Sequence, residues 1–138
     1  MRLSCRTWVF LTVFVGVLLT CAGWVKLTFW QSNRISPQFL SAGRSAYRSI
    51  RECDDRISEG SAVFLACITK AENEIVSLSH LPITQRERME YGALRSYLTE
   101  TRACRRDWEM SDISVDALAR HQILVDLRVR LGKTYEIK

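Results

Sequence analysis

The chain has 138 residues, 20 basic and 15 acidic, for a net charge of +5, and 47% of it is hydrophobic. That length leaves room for one small domain. The basic excess does not describe a nucleic-acid binder: three basic residues flank the N-terminal run, and the 108 residues from Gln31 onward hold 17 basic and 15 acidic side chains, a net +2.

Thr7 to Val25 form 19 consecutive uncharged residues, with Arg2 and Arg6 before them and Lys26 after. A membrane-spanning helix needs about 20 mostly apolar residues. Leu27 to Trp30 extend the run behind one lysine, and Trp8, Trp24 and Trp30 lie near its ends, as interfacial rings do. The segment therefore reads as a membrane anchor over residues 1–30, followed by a linker at 31–36. Two other readings stay open. One is a signal peptide cleaved after the small-residue site Thr20-Cys21-Ala22. The other is a lipoprotein signal, with Leu18-Leu19-Thr20 before Cys21. Each puts the rest of the chain outside the cytoplasm if the short N-terminus stays inside, which is the periplasm in a Gram-negative cell.

From residue 37 the apolar period is helical. Ser36-Pro37 is a helix start. Phe39, Gly43, Ala46, Ile50, Cys53 and Ile57 then recur every three or four residues. Ser58 to Ser61, around Gly60, break that helix. A second carries Phe64, Cys67 or Ile68, Ala71, Ile75 and Leu78 on one face and ends at His80-Leu81-Pro82. Thr84 and Glu87 form a capping-box pattern that opens a third helix. Its inward stripe is expected at Tyr91, Leu94, Leu98, Thr101, Cys104 or Arg105, and Trp108, with a break near Ser111. The last segment, from Ser114, reads two ways. Val125, Leu127, Val129 and Leu131 alternate with charged residues as in a strand, whereas Ala117 to Gln122 favour helix and Gly132 is a natural C-cap. A lone hairpin over 123–137 has no sheet to join, so helix is the expectation. The fold class is all-α: an N-terminal transmembrane helix, then a three- or four-helix bundle over 37–138.

Cys5 and Cys21 belong to the N-terminal run, leaving Cys53, Cys67 and Cys104, an odd number. In an oxidising compartment this suggests one disulfide and one spare thiol. Cys53 lies about a turn before the first break and Cys67 nearly two turns after it, on facing apolar stripes. Small neighbours Ala62 and Ala66 favour the close approach a bond needs. Cys53–Cys67 is therefore the expected bridge. Cys53–Cys104 is the rival, and three reduced thiols are the default in a cytoplasmic domain.

Six acids lie between Glu52 and Glu74 and six arginines between Arg86 and Arg106, so folding at Pro82 is expected to set opposite charges side by side. Chemistry-bearing motifs are absent. His80 and His121 stand alone, no cysteine has metal-ligand spacing, and there is no phosphate loop, nucleophile elbow or basic-aromatic platform. No catalytic, cofactor or metal residues are assigned.

Cys53-Asp54-Asp55 to Cys67 (C-x13-C), Leu94-Arg95-Ser96-Tyr97 with Arg102 and Cys104, and Ile123 to Leu127 are together similar to the lysozyme-inhibitor LprI-like family, over about residues 50–137. Tyr97 stands where that family has tryptophan, Ser111 to Ser114 replace its glycine-rich turn, and Ile123 takes the place of its fourth cysteine. The resemblance implies a small helical extracytoplasmic domain, with Cys104 left as a free thiol. It also implies binding or inhibition of a lysozyme-like cell-wall hydrolase. The residues themselves read as a single-pass membrane-anchored interaction domain of the cell envelope with no chemistry of its own. Its partners are then the membrane, an envelope protein or a second copy, and not nucleic acid.

Overall fold

The computed structural model describes residues 14–18, 20–21, 23–24, 34–111 and 113–136. The chain divides into two compact units, Met1–Arg34 and Ile35–Lys138. The described residues of the first unit are helical apart from Arg34, and Phe14, Val15, Val17, Leu18 and Trp24 are exposed. No helix among the described residues is long and apolar enough to cross a membrane. Of the 19 residues of the transmembrane helix expected over Thr7–Val25, 10 lie outside the described residues.

The second unit holds four helices: α1 (Pro37–Asp55), α2 (Ser61–Ser79), α3 (Gln85–Glu109) and α4 (Val115–Tyr135). There is no strand among the described residues, so the hairpin alternative for 123–137 is replaced by one continuous helix. The start signals work as their chemistry requires. Ser36 Oγ accepts from the Phe39 amide at 3.2 Å with Pro37 behind it, and Ser114 caps α4 by accepting from the Ala117 amide. Thr84 and Glu87 close the capping box. The breaks fall at Gly60, Pro82 and Ser111, and Ser111 takes a left-handed φ of 51°.

Gly132 is the exception. It does not cap α4, which runs three residues further to Tyr135. A Cβ on Gly132 would lie 3.2 Å from the Tyr47 hydroxyl, so the glycine serves the α1–α4 approach and not a chain reversal.

Short turns make successive helices antiparallel neighbours. α1 and α3 also pack on each other across the middle, while α2 and α4 lie to either side. In cross-section the bundle is a rhombus whose short diagonal is α1–α3. Tyr47 of α1 fills the centre, stacked between Tyr97 of α3 and Tyr135 of α4 with ring centroids 6.0 Å away on each side. Tyr97, outside the expected stripe of α3, is fully buried, and Trp108, expected inside, is half exposed. Arg105 takes the inward place one turn earlier, with its guanidinium against the rings of both Phe64 and Trp108.

Gly43 of α1 lies against Tyr135, and a Cβ there would come 2.6 Å from the ring. Tyr135 is 2% exposed and has nowhere to swing. Gly43→Ala should therefore cost about 1–3 kcal/mol through overpacking, despite alanine's better helix propensity. A urea melt checks the sign.

Glu87 joins two helix starts. Its carboxylate accepts from the backbone amides of Ser36 and Thr84, both at 2.7 Å, and the residue is fully buried. Burial pushes its pKa up, but the hydrogen bonds from Thr84 and Ser36 outweigh it and leave the pKa below the ordinary 4.5. A lowered folded-state pKa gives stability that is complete above the unfolded value and is lost as pH falls through the folded one. Denaturant midpoints of the wild type should accordingly fall more steeply below pH 4.5 than those of Glu87→Gln.

Candidate functional site

The α1–α2 hairpin carries the expected bridge. Cys53 and Cys67 are disulfide-bonded with Cα atoms 5.5 Å apart, Cys53 wholly buried and Cys67 nearly so. Cys104 is a free, buried thiol on α3, and Cys21 is free and exposed. The Cys53–Cys104 pairing is not formed, since Cys53 bonds Cys67 and Cys104 lines a cleft toward α4.

Cys104 lines a small cleft with Asp107, Trp108, Ile113, Leu118 and His121. A cysteine, an aspartate and a histidine thus share one cavity wall, a juxtaposition invisible in a sequence that separates them by up to 17 residues. The local chemistry does not favour a nucleophile. Burial, with Asp107 and Glu100 next, raises the Cys104 pKa and holds the sulfur as a thiol. Asp107 is committed to a bidentate pair with Arg120, at 2.8 and 2.9 Å. His121 is exposed, as is His80 in its turn. No group of three His, Cys, Asp or Glu among the described residues could hold a metal ion.

At the end of α1, Asp54 accepts from the Tyr97 hydroxyl at 2.8 Å and from Arg128 at 3.2 Å, while Arg128 also reaches Asp55 at 2.9 Å. Burial and the Asp54 carboxylate hold the Tyr97 phenol protonated far above its usual range. Beside this cluster an open cleft of about 600 Å³ runs between α1 and α4, walled by Tyr47, Arg51, Arg128, Val129 and Lys133. Glu136 also lines it, paired with Arg51 and accepting from the Tyr47 hydroxyl at 3.3 Å. Three cations, Arg51, Arg128 and Lys133, and one acid, Glu136, thus line the cleft.

The acids between Glu52 and Glu74 are mostly spoken for. Glu52 pairs with Arg56 and Lys70, Glu72 with Arg102, and Glu74 accepts from Ser49. Glu72–Arg102 is an α2–α3 pairing of the kind the charge pattern suggested; Asp54 and Asp55 turn to α4 instead. The exposed pairs contribute little each.

Apolar side chains are exposed among the outward charges of α2 and α4. On α2, Leu65 and Val76 are 66% and 54% exposed. On α4, Val115, Leu118, Val125 and Val129 are between 40% and 81% exposed, and Trp108 and Ile113 continue that surface around the turn. Ile113 and Leu118 stand at the positions of a hydrophobic staple. No known family, curated protein or solved structure matches the chain.

Proposed function

We propose that this protein is a single-pass, membrane-anchored helical interaction domain of the cell envelope, without catalytic activity. The observation that carries this reading is the apolar outward surface of the two peripheral helices, α2 and α4. Contiguous exposed apolar surface beyond a few hundred Å² marks an interaction site more often than an idle face. The disulfide fits an oxidising compartment, and the uncharged run Thr7–Val25 supplies the anchor.

A photo-reactive benzophenone residue at Leu65 or Leu118 of the full chain in native membranes tests the reading. Adducts of defined mass are expected there and not from Ser45, on the exposed side of α1. Absence of adducts from both apolar positions would overturn it. The anchor has its own measurement. Mass spectrometry of the membrane fraction should find the intact N-terminal segment, and a mature N-terminus at Gly23 would mean cleavage.

The family resemblance suggests instead an inhibitor of a cell-wall hydrolase. Such enzymes are commonly basic, and an acidic docking face would favour one. The internal pairing of Glu52, Glu72 and Glu74 leaves little such face, so no observation favours this alternative. Muramidase activity that slows on adding the full chain would revive it.

A further inference from the structure

α4 buries only Ala117, Leu124, Leu131 and Tyr135 inside the bundle. A second stripe runs along the same helix and faces out: Val115, Leu118, Gln122, Val125 and Val129. Its steps are three, four, three and four residues. At 100° per residue these positions stay within a sector of about 80°, so they form one continuous ridge roughly 21 Å long.

That spacing is the a/d register of a coiled coil over two heptads, with β-branched valine at two of the a positions, leucine and valine at d, and one polar glutamine at the central a position. A seam of this kind is complementary to itself. The flanks carry Asp126 and Lys133 on one side and His121 and Arg128 on the other, and Arg128 is already paired with Asp54 and Asp55. Gln122 already donates to Asp126 at 3.0 Å, which occupies one of its polar groups. Trp108 and Ile113 enlarge the surface at the α3–α4 turn. A standard interface takes ~800 Å² from each partner, and the stripe with Trp108 and Ile113 is the surface that would supply it.

We propose that the outward stripe of α4 is a homodimer seam, covered by α4 of a second copy of this chain about a twofold axis. The proposal rests on the interaction-domain reading and names its partner. A membrane tether assists it by confining copies to one surface and raising their effective concentration.

Sedimentation equilibrium of the full chain in density-matched detergent tests this. The wild type should have the mass of two chains. Leu118→Glu with Val125→Glu should weaken dimerisation at least about 100-fold, since the twofold axis repeats each carboxylate in the seam. Leu118→Ser with Val125→Ser is the gentler variant, and circular dichroism confirms that each stays helical. Gln122→Leu should tighten the dimer, and Leu65→Glu on α2 should leave it unchanged. A monomeric wild type, a dimer that survives both seam variants, or equal weakening by Leu65→Glu would each overturn the proposal. If it fails while Leu118 still photo-crosslinks to a different protein, the interaction-domain reading stands. If no outward position crosslinks, both fall.

Discussion

Replacing Cys53 and Cys67 together by alanine should lower the stability of the bundle by about 3 kcal/mol. The bond closes a chain segment with a sequence separation of 14, for which loop-closure entropy alone gives about that figure. It joins α1 to α2 where both are buried, so the double variant also leaves a void at Cys53. A domain this small has a limited core, and a cross-link is a large share of its margin. Urea unfolding of the full chain under non-reducing conditions measures the effect. Cys104→Ala is the control: it removes one buried thiol and no cross-link, and should cost clearly less. A double variant within about 1 kcal/mol of wild type would mean that packing, and not the bond, holds the hairpin.

Arg105→Ala should be comparably damaging, although the residue looks like one more charge on an arginine-rich helix. Its side chain is 7% exposed. The guanidinium donates to the backbone carbonyls of Ile57 and Glu59 in the α1–α2 turn and to the Glu109 carboxylate at 2.8 Å. It also lies 5.3 Å from the Phe64 ring centroid and 4.8 Å from that of Trp108. Truncation removes the donor from two turn carbonyls and strips the stacking, for an expected loss of about 2–4 kcal/mol. Arg105→Lys should recover little, because an ammonium cannot span both carbonyls and lie flat on the rings. A lysine variant as stable as wild type in the same urea experiment would show that charge alone is what the turn requires.

Much of the bundle was legible because its punctuation is local. Ser36-Pro37, the Thr84/Glu87 box and the breaks at Gly60, Pro82 and Ser111 all act within a few residues, and the cysteine bridge follows from two helices meeting at one short turn. Misreadings arose where a residue answers to a distant partner. Gly132 resembles a cap until Tyr47 is seen above it, and Trp108 is expected inside until Arg105 is seen to take the inward place against the α1–α2 turn. The strand-like alternation of Val125, Leu127, Val129 and Leu131 has a related cause. Leu127 and Leu131 face the bundle while Val125 and Val129 face out, so a helix apolar on two sides imitates a period of two. The same doubling kept the outward stripe of α4 from standing out in the sequence. Of the candidate site residues, the Cys53–Cys67 pair was readable, whereas the shared cleft of Cys104, Asp107 and His121 depends on how α3 and α4 are rotated about their own axes.

The rhombic section has a consequence for how this protein changes over generations. α1 and α3 touch each other and both flanking helices, so a substitution on their inner faces disturbs several contacts together. α2 and α4 lean on that central pair and hold their outer faces clear of the core. Lineages can rewrite those outer faces, and with them what the domain recognises, while the inner pair stays nearly fixed. Kinship between such chains would show as a few invariant inner positions and not as an alignable whole.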